Sequence, residues 1–110
     1  MASGPGPRIG AFKPVKGAGL DAEQAEALAA AALGTIAEEP DRLSRFMSDT
    51  GFTPADLMAR AGEREVLVAV LEHVAGDESL LLVVTANANV KPERLMEALH
   101  VLQAPGHWSA

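Results

Sequence analysis

Residues 64 to 88 hold two consecutive apolar segments, and these constrain the fold of the chain more than any other feature. The first segment has apolar residues spaced as on one wide face of an α-helix, namely Val66, Leu67, Val70, Leu71 and Val74. Gly76 and Asp77 then provide a helix end and a helix cap, and residues 80 to 84 are apolar on every side. The pattern predicts two adjoining helices whose apolar surfaces form the middle of the molecule.

A β-hairpin is the alternative structure for the same stretch. The segments "VLVAVL" and "LLLVV" contain residues common in strands, and the chain could turn at Gly76-Asp77. Neither segment alternates between apolar and polar residues, as a half-buried strand does, and both have the length and the flanking caps of a helix. We therefore expect helices at 64 to 88, and extended backbone there would overturn the predicted fold.

Two stretches with the same order of residues predict where helices begin and end. "TGFTPADLMAR" (50–60) and "NVKPERLMEAL" (89–99) each place a residue that tolerates positive φ before an apolar residue, a spacer, a proline and Leu-Met. In the first stretch, Gly51 is expected to end one helix, Thr53 to cap the next, and Pro54 to occupy its first turn. Both stretches are therefore predicted to be helix boundaries.

Helical spacing elsewhere completes the predicted fold. Asp21 and Gln24 form a predicted capping box, which an Ala-rich apolar stripe follows. The predicted helices span residues 21–38, 40–50, 54–61, 64–75, 78–88 and 92–103. The chain is thus predicted to be all-α, a single compact bundle of five or six short helices. Its predicted core residues are Leu28, Leu33, Phe46, Leu57, Leu71, Leu81, Leu95 and Leu99.

Charge and composition divide the chain into three predicted parts. Residues 1–19 are rich in Gly and Pro and are predicted to be a disordered tail whose charges are all positive, namely Arg8, Lys13 and Lys16. Residues 20–103 form the predicted helical domain, and residues 104–110 form a C-terminal tail. The whole chain has a net charge of −6, so the part after the basic tail carries −9. An acidic body repels nucleic acid and favours basic partners.

Several kinds of location and chemistry are not expected. No apolar run reaches membrane-spanning length, so we predict no membrane partner and a cytoplasmic location. The chain has no cysteine, which excludes thiol catalysis, and its serines lie in no nucleophile motif. The histidines His73, His100 and His107 lack the spacing of a metal site, although Glu72, Asp77 and Glu78 lie near His73 along the chain. We therefore expect a protein that is not an enzyme and that uses no cofactor and no metal.

DNA binding by a helix-turn-helix is one remaining function. Residues 40–50 and 54–61 would supply the two helices, with Arg60 as the residue that reads a base. Two features argue against it. Met47 is bulky where a small residue usually lets such helices cross closely, and Asp56 puts a negative charge on the reading helix. DNA binding is therefore the alternative prediction.

The leading prediction is a non-catalytic protein-interaction module, with pairing to a second copy of the chain as one form of that interaction. Small acidic helical domains often bind partners through a groove between helices or pair with themselves. The predicted interaction surface lies beside the turn at 51–54 and consists of Arg42, Arg45 and Arg60. The partner is expected to be a protein, and nucleic acid is the less favoured class.

Four segments together resemble a known family. They are "LDAEQAEALAAAAL", "EPDRLSRFMSDTGFTPADLMARAG", "VLVAVLEHVAGDESLLL" and "VKPERLMEAL". In this order, over about residues 20 to 99, the chain resembles a small all-helical alphaproteobacterial family classed only as a domain of unknown function. The segment "GEREVL" departs from the family pattern, in which an Asp-Pro pair would begin that helix. The resemblance implies an all-helical fold and supplies no catalytic residue.

Overall fold

All the regular structure is helical in the computed structural model, which describes residues 20 to 104. The six helices of this part are α1 (Ala22–Ala37), α2 (Pro40–Thr50), α3 (Pro54–Arg60), α4 (Arg64–Ala75), α5 (Glu78–Ala88) and α6 (Pro92–Gln103). Residues 20–104 contain no strand, so the hairpin alternative for 64–88 is wrong and the all-α prediction is confirmed. The predicted tail at 1–19 and most of the predicted tail at 104–110 lie outside the described residues.

The helices begin within one residue of their predicted starts. Hydrogen bonds between residues close in sequence determine these starts. α1 begins after Asp21, whose Oδ1 accepts the backbone N–H of Gln24 at 2.8 Å, while the Gln24 side-chain oxygen accepts the N–H of Asp21 at 3.0 Å. α5 begins after Asp77, whose carboxylate accepts the N–H of Leu80 at 3.2 Å. These bonds satisfy backbone donors that an α-helix leaves unpaired in its first turn.

The two repeated boundary stretches behave as predicted. Gly51 has φ 84° and donates its N–H to the Met47 carbonyl at 2.8 Å, which ends α2. Asn89 has φ 59° and ends α5 in the same left-handed region, after which the Val90 N–H reaches the Thr85 carbonyl at 3.0 Å. Because both residues occupy the region where a side chain is disfavoured, glycine or asparagine is the suitable residue type.

Gly51→Ala is expected to lower the free energy of unfolding by about 1 to 2 kcal/mol. A Cβ at this position would contact nothing within 4 Å, so the cost comes from the backbone conformation at φ 84° and not from a steric clash. Gly62→Ala is the matched control, because its Cβ would also meet open space and its φ is not positive. That control should be neutral or stabilising by up to about 1 kcal/mol. Urea unfolding of both variants compares them, and equal effects would contradict the prediction.

A reciprocal cap begins α3 and lowers the pKa of Asp56. The largest cause is the Thr53 backbone N–H, which donates to Oδ2 of Asp56 at 2.9 Å, followed by the hydroxyl of the same residue. A carboxylate whose pKa is lower in the folded state stabilises the fold above its unfolded pKa, and that stabilisation disappears as the pH falls through the folded value.

NMR titration of the Asp56 carboxyl should therefore give a pKa below the ordinary aspartate value in the native chain. Thr53→Ala should raise the pKa of Asp56, because it removes the hydroxyl and loosens the first turn of α3. Thr53→Ser keeps the hydroxyl and is the control, for which we expect little change. A pKa at or above the ordinary value in the native chain would contradict the contacts described above.

α4 is, with α1, one of two helices that each pack against four others. It packs against α1, α2, α5 and α6, and α1 is its most Ala-rich neighbour. Four of the predicted core residues are buried, namely Leu28, Phe46, Leu71 and Leu95, and the other four are partly buried and pack against the core, namely Leu33, Leu57, Leu81 and Leu99. Small residues on α1 allow its neighbours to approach closely, so an almost entirely aliphatic core can fill the space.

α5 departs from its prediction. Its apolar residues on every side indicated a helix in the centre of the bundle, but Leu82 is 53% exposed and α5 buries only Leu80, Val84 and Thr85 below the surface. The physical reason is that α5 contacts α1, α4 and α6 from one side, so no element of residues 20–104 covers its outer face. None of the helices in this part combines the length and the hydrophobicity needed to cross a membrane.

Candidate functional site

An open groove of about 980 Å³ lies on the outer side of α4. We call it the acidic groove, because its lining includes four carboxylates and one arginine. The lining residues are Asp49, Thr50, Phe52, Glu63, Arg64, Glu65, Val68, Ala69, Glu72, His73 and Gln103. They come from the end of α2, the turn after it, the cap residue before α4, the length of α4 and the last residue of α6.

Two faces of α4 explain the position of the groove. The face that contains Val66, Val70 and Val74 is completely buried in the core. Residues 65, 68, 69 and 72 follow the same helical spacing on another face, where Val68 and Ala69 are half-buried and Glu65 and Glu72 are exposed. The apolar part of the groove therefore lies between carboxylates on the same helix.

An Asp-His pair connects α2 to α4 at the groove. Nδ1 of His73 lies 2.8 Å from Oδ2 of Asp49, and the His73 side chain is only 6% exposed. Its ring meets Phe46 edge-on, with 5.3 Å between the ring centroids. In the described part of the chain, these contacts hold the imidazole in place from two sides.

Arg60 forms a small charge cluster beside the groove. Its Nε donates to Glu63 at 2.9 Å, its Nη2 pairs with Glu65, and its guanidinium lies 5.6 Å from the centre of the Phe52 ring. The hydrogen bond to Glu63 is the largest cause of a raised pKa for Arg60. Phe52 in turn stacks on Phe46 with 6.3 Å between centroids. The cluster therefore fixes Phe52, the aromatic residue of the groove.

The three arginines of the predicted interaction surface have different environments. Arg42 is partly buried, and its Nη1 donates to the Thr35 carbonyl at 3.2 Å, so it joins α2 to α1. Arg60 is held by two glutamates, as described above. The Arg45 side chain is 73% exposed, and its one ion pair within residues 20–104 is a 4.0 Å contact with Asp77. A shared interaction surface for the three stays a prediction, and none of the three lines the acidic groove.

The possible grouping of His73 with Asp77 and Glu78 is not found in the groove. His73 lines it, but Asp77 caps α5 and Glu78 lies in the first turn of that helix, and neither contributes to the lining. Within residues 20–104 no group of three or more His, Cys, Asp or Glu side chains is arranged to hold a metal ion. Asp77 and Glu78 therefore belong to the start of α5 and not to the groove.

No lining residue of the acidic groove belongs to the interaction surface predicted from the sequence, and the contacts of Asp49, Glu72 and Gln103 show why. Glu72 had a visible signal, because Glu65, Val68, Ala69 and Glu72 repeat at helical spacing. The contacts of the other two had no local signal. Asp49 meets His73 across 24 positions of sequence, and Nε2 of Gln103 donates to Glu72 at 2.8 Å across 31 positions.

Comparison with known proteins gives a family and no activity. The family model described as "Protein of unknown function (DUF3572)" matches residues 22–105. No curated protein and no solved structure matches the chain. The match confirms the predicted membership of a family of unknown function. The matched stretch also contains the six helices of the described residues and every lining residue of the acidic groove. Because the match covers residues 22–105 of the 110-residue chain, the chain belongs to the family DUF3572.

Proposed function

We propose that the protein is a non-catalytic protein-interaction module that binds a basic segment of a partner protein in the acidic groove. The observation that carries the proposal is the combination of half-buried apolar residues, Phe52, Val68 and Ala69, with exposed carboxylates in one groove. Apolar burial supplies affinity at about 25 cal/mol per Å². Carboxylates supply selection for lysine and arginine, and they steer the encounter.

The charge of the groove favours a basic partner even after its internal ion pairs are considered. Glu63 and Glu65 share Arg60, which offsets part of their charge. Asp49 and Glu72 have no arginine or lysine among their contacts in the described residues, where they meet His73 and Gln103. These two carboxylates are therefore the strongest candidates for ion pairs with a partner.

Binding to a second copy of the chain is another form of the same function. α1 exposes a row of small uncharged residues at Ala27, Ala30, Ala31 and Gly34, and Leu82 and Met96 are exposed large apolar residues. Surfaces of this kind suit close helix pairing. Analytical ultracentrifugation over a range of concentrations measures it directly, and a mass that rises with concentration would identify the second copy as a partner.

DNA binding remains the alternative proposal, and the contacts of Arg60 support it less. A base-reading arginine needs its guanidinium free for two hydrogen bonds to guanine, whereas Arg60 is held by Glu63 and Glu65. Mobility-shift assays at low salt separate the two classes. A shift that weakens steeply with salt and with Arg60→Ala would favour DNA binding over the protein-interaction module.

Charge reversal at Glu72 is the experiment that tests the groove. The native chain, Glu72→Lys and Glu38→Lys are immobilised and exposed to the same native lysate. Glu38 is a matched control, because it is exposed, lies at the C-terminal end of α1 and does not line the groove, while Glu72 lies in the last turns of α4. A lysine is compatible with the helix dipole at both places, so both variants should fold.

The expected result is a captured protein whose yield falls severalfold with Glu72→Lys and stays unchanged with Glu38→Lys. Added salt should reduce the capture by the native chain, because exposed charge pairs are screened. Equal capture by all three chains would contradict the role of the groove. Failure of all three to retain any protein would contradict the interaction module itself.

A further inference from the structure

We propose that residues 8–16 of the same chain dock in the acidic groove and compete there with a partner. This inference rests on the proposed function and names an occupant for its groove. It makes the N-terminal segment an internal competitor, so that a partner binds only when it displaces that segment. Three observations lead to it, namely the charges of the two parts, the apolar residues in each, and the length of chain that joins them.

The charges of the two parts are complementary. Arg8, Lys13 and Lys16 are the only charged side chains in residues 1–19. The groove has four carboxylates and one arginine in its lining, and two of those carboxylates, Asp49 and Glu72, have no cationic arginine or lysine against them in the described structure. The basic N-terminal segment thus matches a concave surface of the helical domain that is rich in carboxylates.

The segment also carries apolar residues between its cations. Ile9 and Phe12 are the large apolar side chains among residues 8–13, and Arg8 and Lys13 flank them. The lining of the groove has the converse arrangement, with half-buried Phe52, Val68 and Ala69 between exposed carboxylates. Docking would therefore bury apolar surface and pair charges in the same contact, which is how a short peptide gains affinity on a groove.

The chain between the segment and the helical domain is about as long as the domain is wide. Leu20 packs against the core, so it is a fixed starting point. The eight residues from Phe12 to Leu20 span at most about 28 Å, and a domain of this size has a diameter of about 30 Å. The joining sequence Gly17-Ala18-Gly19 has the composition of a linker.

Because the connection is short, the segment would occupy the groove most of the time even if its affinity for the groove were weak. A segment on a short linker has an effective concentration of about 1 mM at a site on its own domain. A segment with a Kd of about 100 μM would therefore fill the groove about ten times more often than leave it empty. The apparent affinity of a competing partner would then fall by about tenfold.

Paramagnetic NMR on the full chain tests the contact directly. The protein has no cysteine, so Gly10→Cys provides one specific position for a nitroxide label. The expected result is broadening of the backbone amide signals of Val68, Ala69 and Glu72, without broadening of Ala31 on the exposed face of α1 or Ala86 on α5. A mixture of labelled unenriched chain and unlabelled ¹⁵N chain should show much weaker broadening, because the contact is intramolecular.

A labelled chain in which the three cations of the segment are reversed to glutamate is the matched control for the labelled native chain. The chain with Arg8→Glu, Lys13→Glu and Lys16→Glu keeps the same helical domain and the same label, and its groove signals should not broaden. Broadening that persists in this chain, or that is equal over Val68 and Ala31, would overturn the proposal. So would groove signals in the labelled native chain that match those of the reduced, diamagnetic sample.

A synthetic peptide of residues 5–19 then separates this inference from the proposed function. It should bind the charge-reversed chain about tenfold more tightly than the native chain, whose own segment competes, and Glu72→Lys in the charge-reversed chain should weaken it. Equal affinity for the native and charge-reversed chains would overturn the internal competition. The proposed function would still be judged by the lysate capture with Glu72→Lys and Glu38→Lys, which does not depend on where residues 8–16 lie.

Discussion

Phe46→Ala is expected to lower the free energy of unfolding by about 3 to 5 kcal/mol, the largest effect that we predict for this protein. Phe46 is completely buried, and it is the largest side chain of the core. Its removal would leave a cavity beneath Phe52 and His73, the two rings that pack on it. Small domains have a total stability of about 5 to 15 kcal/mol, so this one substitution would remove a large part of it.

Chemical unfolding followed by far-UV circular dichroism measures the effect of Phe46→Ala. Met58→Ala is the control, because it also truncates a large apolar side chain but at a position that is 87% exposed. We expect that control to change the free energy of unfolding by less than about 0.5 kcal/mol. If the two substitutions had similar costs, Phe46 would not be the centre of the packing between α2 and α4.

The same substitution should also affect the acidic groove. Phe46 supports Phe52, which lines the groove, and His73, which holds Asp49. A conservative Phe46→Leu variant should stay folded at low temperature, because it retains most of the apolar volume. Its groove amide signals should nevertheless shift more than those of α6 residues such as Ala98. The core and the groove are therefore coupled through one aromatic residue.

Ala29→Leu is expected to lower the free energy of unfolding by about 1 to 3 kcal/mol, the second largest effect. Ala29 lies on the buried face of α1 and has no exposed surface. α1 contacts α2, α4, α5 and α6, so the added atoms would push several elements at once. A close-packed interior has few voids that could receive them.

Ala30→Leu is the matched control for this substitution. It makes the same chemical change at the next residue of the same helix, but Ala30 is exposed. Alanine and leucine have similar helix propensities, so the control should cost less than about 0.5 kcal/mol. Thermal unfolding of the pair measures the difference. Ala29→Leu with native-like stability would show that α1 can move away from its neighbours, contrary to the close packing of its alanines.

The sequence by itself determined the helices and their ends. Asp21 with Gln24, Gly51, and Thr53 with Asp56 act within three or four positions of themselves, through a cap bond or a single φ angle. Such interactions have the same partners in almost any packing, so the pattern that contains them predicts them. The helical face of α4 was equally visible, because the spacing of its valines and leucines is a property of one helix.

Only the tertiary structure decided which surfaces meet and what the remaining surface can do. Residues 80–84 look equally apolar on all sides in the sequence, and the placement of α5 on one side of the bundle is what exposes Leu82. The acidic groove likewise requires contacts across 24 and 31 positions, between Asp49 and His73 and between Gln103 and Glu72. Distances of this kind depend on how all six helices pack together, and helical spacing contains no information about them.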